Sequence, residues 1–222
     1  MAIASLTLYH YPMTRSARAR WALLETVGDD FTLDRVELFK GAQYSDAYLA
    51  RNPNHAVPLL AVTFTDGSTL DMIESAAMVS WLADAFPEKA LAPAPGPSAE
   101  RAEYQQMLYF AGSWMDMMLW QMRVHESLLP ESERDARTVA RYRDKFATEV
   151  EPQLLKRLDS SPFICGERFS AADIVMGHNV RWASVYKLCG DSRFQDYLGR
   201  LADRPAYQRA FDDADSFSSA NT

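Results

Sequence analysis

Asn52-Pro53-Asn54-His55-Ala56-Val57-Pro58-Leu59-Leu60, followed after a short interval by Asp71-Met72-Ile73-Glu74-Ser75, is the stretch on which the reading of this chain turns. Val57-Pro58 closes a polar loop and opens an apolar run, residues 59–62, whose composition suits a buried strand; Asp66-Gly67 then supplies a hairpin turn. Proline has no N–H for a ladder, so at the head of a strand it faces an edge or leaves the backbone before it free. With Val57-Pro58 cis, that free backbone is able to pair with an extended peptide. Only about 5–6% of X-Pro bonds in folded proteins are cis. An ordinary trans proline is therefore the default, and the neighbouring residues must argue for more.

On the N-terminal side, Leu6-Thr7-Leu8-Tyr9-His10-Tyr11 is β-branched, aromatic and stopped by Pro12, which reads as a buried first strand. Ser16 is a good N-cap for a helix over residues 17–27, in which Ala19, Trp21, Ala22, Leu23, Leu24 and Val27 recur at largely helical spacing before Gly28 ends it. Residues 31–36 make a second strand. Strand, helix and strand within about thirty residues form a βαβ unit, which needs a parallel pair. Residues 41–52 read as a short helix stopped by Pro53. Beyond the hairpin, residues 74–86 place Ala76, Ala77, Val79, Trp81, Leu82 and Phe86 at helical spacing, with Pro87 just past the stop. Residues 87–97 are dense in proline and aperiodic, the composition of a linker.

Everything after Ser98 has helical character. Ser98 caps a long helix to about Val124, with Tyr104, Leu108, Ala111, Met115, Met118 and Met122 on one stripe. A second helix over residues 133–158 contains Pro152, which predicts a kink or a junction. Ser170-Ala171-Ala172-Asp173 has capping-box form and opens an apolar helix over residues 174–188. Shorter helices follow near residues 194–201 and 205–211. The tail from Asp212, acidic and then Ser-rich, is expected to fray.

The 222 residues, 48% of them hydrophobic, suffice for one large core or two small ones. A net charge of -7 and a pI near 5.1 argue against a nucleic-acid partner, because phosphate binding needs clustered Lys and Arg. No apolar run approaches the roughly 20 residues that span a bilayer, so no membrane role is expected. Cys165 and Cys189, the two cysteines, have no metal-like spacing, and no leader pattern opens the chain. His125, His178 and the tail aspartates likewise lack ligand spacing. A cytoplasmic protein with reduced thiols and no metal is the expectation.

In the order and spacing of four patterns the chain resembles the cytosolic glutathione S-transferase family. These patterns are Tyr9 to Ser16, Asn52-Pro53 to Val57-Pro58, Glu74-Ser75 opening a helix, and the Ser170 to Asp173 capping box; Leu201-Ala202-Asp203-Arg204-Pro205-Ala206-Tyr207 also looks like many bacterial members. The resemblance implies an α/β thioredoxin-like N-terminal domain over residues 1–86, a linker over 87–97, and an all-α C-terminal domain over 98–222. The N-terminal half looks nearest to the Ser/Thr-type, zeta- and theta-like classes.

The same resemblance implies glutathione as co-substrate. Val57, before a cis-Pro58, is implied to pair by backbone with the cysteinyl unit. Glu74 is implied to meet the γ-glutamyl ammonium, and Ser75, at a helix N-terminus, its carboxylate. A free thiol, with pKa about 8.5, is only a few per cent ionised at neutral pH, and lowering it by two units takes roughly 2.7 kcal/mol. A hydroxyl near a helix N-terminus supplies part of that. Thr14 stands where the family's Pro-x-Ser pattern has its Ser; Ser16 is the second candidate, with Arg15 between them, and Tyr9 and Tyr11 rank behind as packing residues. Lys40, Gln43 and His55 are candidates for the glycyl carboxylate, His55 standing evenly between that and an ordinary loop position.

Met13, Tyr109, Ser113 and Met117 are expected to border the electrophile, while the methionine stripe as a whole reads more readily as core or dimer seam. Met13 replaces a Ser of some zeta-like members, against that class's isomerase chemistry, and no Cys lies within residues 12–16, against a protein mixed disulfide. The implied activity is detoxifying conjugation of glutathione to small apolar electrophiles by a homodimer, with Tyr104 and Met107 as contributors to the seam. Glutathione-dependent peroxidase or isomerase chemistry at the same site, and a ligand-binding protein without turnover, are the alternatives.

Overall fold

The computed structural model describes residues 2–218. They divide into two compact units, one of residues 2–90 with 203–218 and one of residues 91–202. In the first, β1 (Ile3–His10), α1 (Ser16–Thr26), β2 (Thr32–Arg35), α2 (Asp46–Leu49), β3 (Leu59–Phe64), β4 (Thr69–Met72) and α3 (Ser75–Ala85) follow in that order. The sheet order is β2-β1-β3-β4, with β1 and β2 parallel and the other two pairs antiparallel. This is the mixed sheet that a βαβ unit followed by ββα demands. Along β1, Leu6, Leu8 and His10 are buried in alternation with less buried neighbours, as a period of two requires of a strand covered on one face. α1 and α3 pack against each other. The short helix expected over residues 41–52 is two 3-10 turns, Leu38–Lys40 and Ala42–Tyr44, and then the single turn of α2, whose N-cap is Ser45.

The second unit holds α4 (Ala99–Tyr109), α5 (Asp116–Arg123), α6 (Ala136–Lys145), α7 (Glu151–Leu158), α8 (Ala171–Val185) and α9 (Ser192–Ala202). Both long expected helices are interrupted by wider turns, Phe110–Met115 between α4 and α5 and Phe146–Val150 between α6 and α7. Pro152 falls in the first turn of α7, where its missing N–H costs nothing. Tyr104, Met107, Met115, Met118 and Met122 are buried. The stripe is core, and the expectation that Tyr104 and Met107 face a partner is corrected.

Two boundaries also differ from expectation. Leu91 is buried and its carbonyl accepts the Ala171 N–H at 2.7 Å, so the end of the proline-rich stretch belongs to the helical unit. Conversely, residues from Asp203 on cluster with the first unit. There α10 (Pro205–Ala210) packs on α1, with Tyr207 set edge-on to the buried Trp21 at 4.9 Å and Arg204 forking both Glu25 oxygens at 2.7 Å; α11 (Asp215–Ser218) follows. The expectation of fraying from Asp212 is therefore corrected through residue 218, and residues 219–222 lie outside those described.

Candidate functional site

Strand register brings the motif residues to one end of the sheet. Tyr9 pairs with Leu59 and Leu60 with Met72, so β1 delivers His10 and the loop after it beside Pro58, while β4 delivers Ile73, Glu74 and Ser75. Helices α1 and α3 both begin at this end, which brings the positive ends of their dipoles there.

The Val57–Pro58 bond is cis. β3 is an inner strand, not the edge expected for a proline-led strand; the missing N–H falls just before its ladder begins. The Val57 side chain packs with Tyr11, Val36, Tyr48 and Leu59. Its neighbour is braced, because the Ala56 carbonyl accepts both the Tyr48 hydroxyl and the Asn52 amide at 2.7 Å. Burial pushes the Tyr48 phenol up to about 12, which keeps it a donor. The loop is fastened to β4 by Arg51, which forks the Asp71 carboxylate at 2.9 and 2.5 Å. Among the described residues, the Val57 N–H and C=O have no hydrogen-bond partner. A fixed backbone with one open donor and one open acceptor suits an extended peptide.

Glu74 is the N-cap of α3, exposed, at φ 72° and ψ 104°, a region that residues with a Cβ avoid. Ser75 is the first helical residue, so the ordinary N-cap role belongs to Glu74. Its hydroxyl is buried and accepts from Arg18 Nη1 at 3.2 Å. Arg18 is itself buried in α1 and ties the two helix N-termini together. Sequence reasoning missed it; an arginine amid Ala17, Ala19, Trp21 and Ala22 on an apolar helix was the available signal.

In the first loop Met13 is exposed with φ 54°, and Thr14 is half-buried. Thr14 Oγ1 lies 2.8 Å from the Tyr11 carbonyl oxygen and 2.7 Å from Ser16 Oγ. Ser16 is fully buried and caps nothing; Arg15 holds the N-cap position without a side-chain bond to the helix. Its hydroxyl accepts the Tyr11 N–H at 3.1 Å and sits 2.7 Å from His10 Nδ1. His10 Nε2 in turn lies 2.9 Å from Asp213 Oδ2. His10 and Asp213 were also missed, and the alternation of β1, which sends a histidine to the buried face beside Leu6 and Leu8, was the signal for the first.

Lys40 is exposed and His55, at φ 43°, is exposed with its ring 5.0 Å from that of Tyr44. Gln43 is buried, and its Oε1 has no partner among the described residues. In the helical unit Tyr109 is 61% exposed, Ser113 is exposed and donates to the Tyr109 carbonyl at 2.7 Å, and Met117 is half-buried. Neither cysteine is poised as a nucleophile: burial pushes the Cys165 thiol up to about 12 and holds that of Cys189 above the ordinary range. Among the described residues no group of three His, Cys, Asp or Glu is placed to hold a metal, and no helix is long and apolar enough to cross a membrane. A concavity of about 750 Å³, lined by Ala2, Ser5, Phe31, Trp81 and Phe86 among others, opens at the opposite end of the sheet and contains none of the motif residues.

Comparison with known proteins adds three findings. Residues 8–90 match the model of the glutathione S-transferase N-terminal domain. The chain is 30% identical over 211 residues to the glutathione S-transferase GstA of Escherichia coli O157:H7, covering 92% of this chain and 96% of that protein, and 30% identical over 176 residues to the disulfide-bond oxidoreductase YfcG of Escherichia coli K12, covering 76% of each. A glutathione transferase from Burkholderia graminis, solved with two glutathione molecules bound per subunit, superposes with a TM-score of 0.80 at 25% identity, covering 94% of this chain and 88% of that one.

Proposed function

Because the chain belongs to the glutathione S-transferase family, we propose that it binds glutathione at the end of the sheet where β1, β3 and β4 meet α1 and α3, and adds its thiolate to small apolar electrophiles. One observation carries the reading: a cis-proline-led backbone with an open N–H and C=O, a Glu-Ser pair at a helix N-terminus and a hydroxyl-bearing loop share that end of one sheet.

The peptide is held first. Val57 N–H and C=O pair with the cysteinyl unit, and the braces on Ala56 keep them in place. Ser75 and the N-terminus of α3 receive the γ-glutamyl carboxylate, with Arg18 polarising the serine hydroxyl, and Glu74 meets the ammonium. Lys40 and His55 attend the glycyl carboxylate, while the orphaned Gln43 oxygen, an acceptor, suits the glycyl amide N–H. That geometry leaves the sulfur toward the first loop, where Thr14 donates to the thiolate with Arg15 adding positive charge. Met13, exposed in the first loop, is the proposed electrophile contact. A homodimer in the cytoplasm completes the proposal, and sedimentation at micromolar concentrations checks the assembly.

The test is Thr14→Val with a chloronitrobenzene acceptor. Loss of a donor to the thiolate predicts a fall in kcat/KM of about tenfold to a hundredfold, from 1.5–3 kcal/mol for a hydrogen bond to a charged group, with glutathione affinity altered little. Activity within twofold of the parent removes Thr14 from the mechanism.

A further inference from the structure

We propose that Thr14, Ser16, His10 and Asp213 form a proton relay, in which His10 takes the proton of the glutathione thiol through two hydroxyls and Asp213, from the C-terminal tail, holds the imidazole in place. The relay rests on the proposed position of the sulfur at Thr14. Its geometry is continuous: Thr14 Oγ1 to Ser16 Oγ at 2.7 Å, Ser16 Oγ to His10 Nδ1 at 2.7 Å, and His10 Nε2 to Asp213 Oδ2 at 2.9 Å. Ser16 and His10 are closed off from solvent, so a proton passing between them has no water to divert it.

The direction of each bond follows from what the ends must do. Asp213 as a carboxylate only accepts, so Nε2 carries a proton and donates it. The neutral imidazole then presents a bare Nδ1, which fixes Ser16 as its donor. With its proton committed, Ser16 Oγ accepts the Tyr11 N–H, and the relay requires the Thr14 hydroxyl, which also lies 2.8 Å from the Tyr11 carbonyl oxygen, to turn its proton from that carbonyl to Ser16. In the proposed step the incoming thiol donates to Thr14 Oγ1, which also lies 3.3 Å from the Ser16 backbone nitrogen. Three transfers follow together: the S–H bond breaks as an O–H forms on Thr14, the original Thr14 proton passes to Ser16, and the Ser16 proton passes to Nδ1. Sulfur keeps the electron pair. Every hydroxyl ends with one proton, now pointing toward the thiolate, and the charge pair is a thiolate with an imidazolium.

Asp213 is a positioning residue, since it touches neither substrate nor sulfur. It fixes the tautomer and meets the imidazolium once formed. Arg20 Nη1, 3.0 Å from the same Asp213 oxygen, and Arg20 Nη2, 2.8 Å from Asp212, hold the carboxylate from the α1 side. The packing of Tyr207 and Phe211 on Trp21 carries the tail to this position. A tether alone would need only the aromatic and Arg204 contacts; it would not require a buried imidazole bonded through both nitrogens.

The relay predicts thiolate formation without full proton release, because the proton stays on His10. Binding glutathione in weak buffer with a pH indicator, while reading thiolate by ultraviolet absorbance, gives protons released per thiolate formed. The wild-type protein is expected to release well under one. His10→Gln keeps an amide donor for Asp213 but has no group at Nδ1; it is expected to release about one, with the thiolate fraction at neutral pH down about tenfold, the equivalent of about one pKa unit. Asp213→Asn is expected to fall between. S-methylglutathione, which has no thiol proton, reports the peptide frame and should bind all three alike. If it does while His10→Gln leaves both thiolate yield and proton count unchanged, the relay is overturned and the proposed function stands. If Thr14→Val also leaves them unchanged, the position of the sulfur is wrong. Failure of both glutathione and S-methylglutathione to bind the wild-type protein overturns the proposed function. Should His10→Gln not fold, a proton count in Asp213→Asn equal to that of the wild type overturns the relay by itself.

Discussion

Replacing Glu74 by glycine should make the protein more stable and a poorer binder of glutathione. At φ 72° and ψ 104° the Glu74 backbone lies where a Cβ is crowded, and such residues cost about 1–3 kcal/mol. Glycine removes that cost but adds freedom to the unfolded chain worth about 0.5–1 kcal/mol. Alanine keeps the Cβ and the strain. The glycine variant should therefore exceed the alanine variant by about 1 kcal/mol, or ~3 °C in Tm for a chain of this size. At an unstrained position the order would be reversed. Both variants lose the carboxylate proposed to meet the γ-glutamyl ammonium, and because Glu74 is exposed the loss is modest, about fivefold in Kd. Calorimetric melts and glutathione titrations of the two variants separate the effects. An alanine variant as stable as the glycine variant refutes the strain, and a glycine variant binding glutathione like the parent refutes the role of the carboxylate.

Three further outcomes are expected. Asp173 is fully buried and accepts from the Ile164 and Ser170 N–H groups at 2.9 Å and from the Tyr197 hydroxyl at 2.9 Å; Asp173→Ala strands these donors and should lower stability by about 4 kcal/mol, ~10 °C in Tm, and a loss below ~3 °C would show that water replaces the carboxylate. Arg18→Met exchanges a buried guanidinium for an apolar side chain of similar length, so it should weaken glutathione binding about tenfold while moving stability by only about 1 kcal/mol; titration and denaturant melts read the two separately. Burial by itself would raise the Asp213 carboxyl, but the hydrogen bond from His10 and the charge of Arg20 oppose it, and the group is held below the usual carboxylate range. A depressed carboxyl stabilises the fold above its unfolded pKa of about 3.9 and loses that contribution as pH falls through the folded value, so wild type should be more stable than Asp213→Asn at pH 6 and converge with it in acid; parallel acid unfolding curves would contradict the assignment.

What could be read from the sequence divides along chain distance. The βαβββα order was legible because each element carries its own signal: a period of two ending at Pro12, a period near 3.6 ending at Gly28, and a hairpin turn at Asp66-Gly67. The strand start at Val57-Pro58 and the helix start at Glu74-Ser75 were legible because both are local devices. Tyr104 and Met107 were misplaced because a stripe at helical spacing says that one face is covered without saying by what; both are buried in the chain itself, and the helix that carries them packs on α8. The N-cap reading of Ser16 failed for a subtler reason: a serine at the start of a helix is what both an N-cap and a buried hydroxyl bonded back to the preceding strand look like in one dimension. The tail was misread because Asp-rich and Ser-rich composition resembles disorder, and the facts that order it, Tyr207 and Phe211 against Trp21, lie far along the chain.

His10 shows where such reading stops. A histidine that follows Leu6 and Leu8 on the buried face of a strand must satisfy two ring nitrogens without water. One partner, Ser16, is six residues away and within reach of any strand-loop-helix turn. No local donor or acceptor remained for the other, so the alternation of the strand already implied a polar group arriving from elsewhere in the fold. Its source, Asp213, is 203 residues downstream. The need for a partner is written in the first ten residues, whereas the identity of that partner is set only when α10 docks on α1.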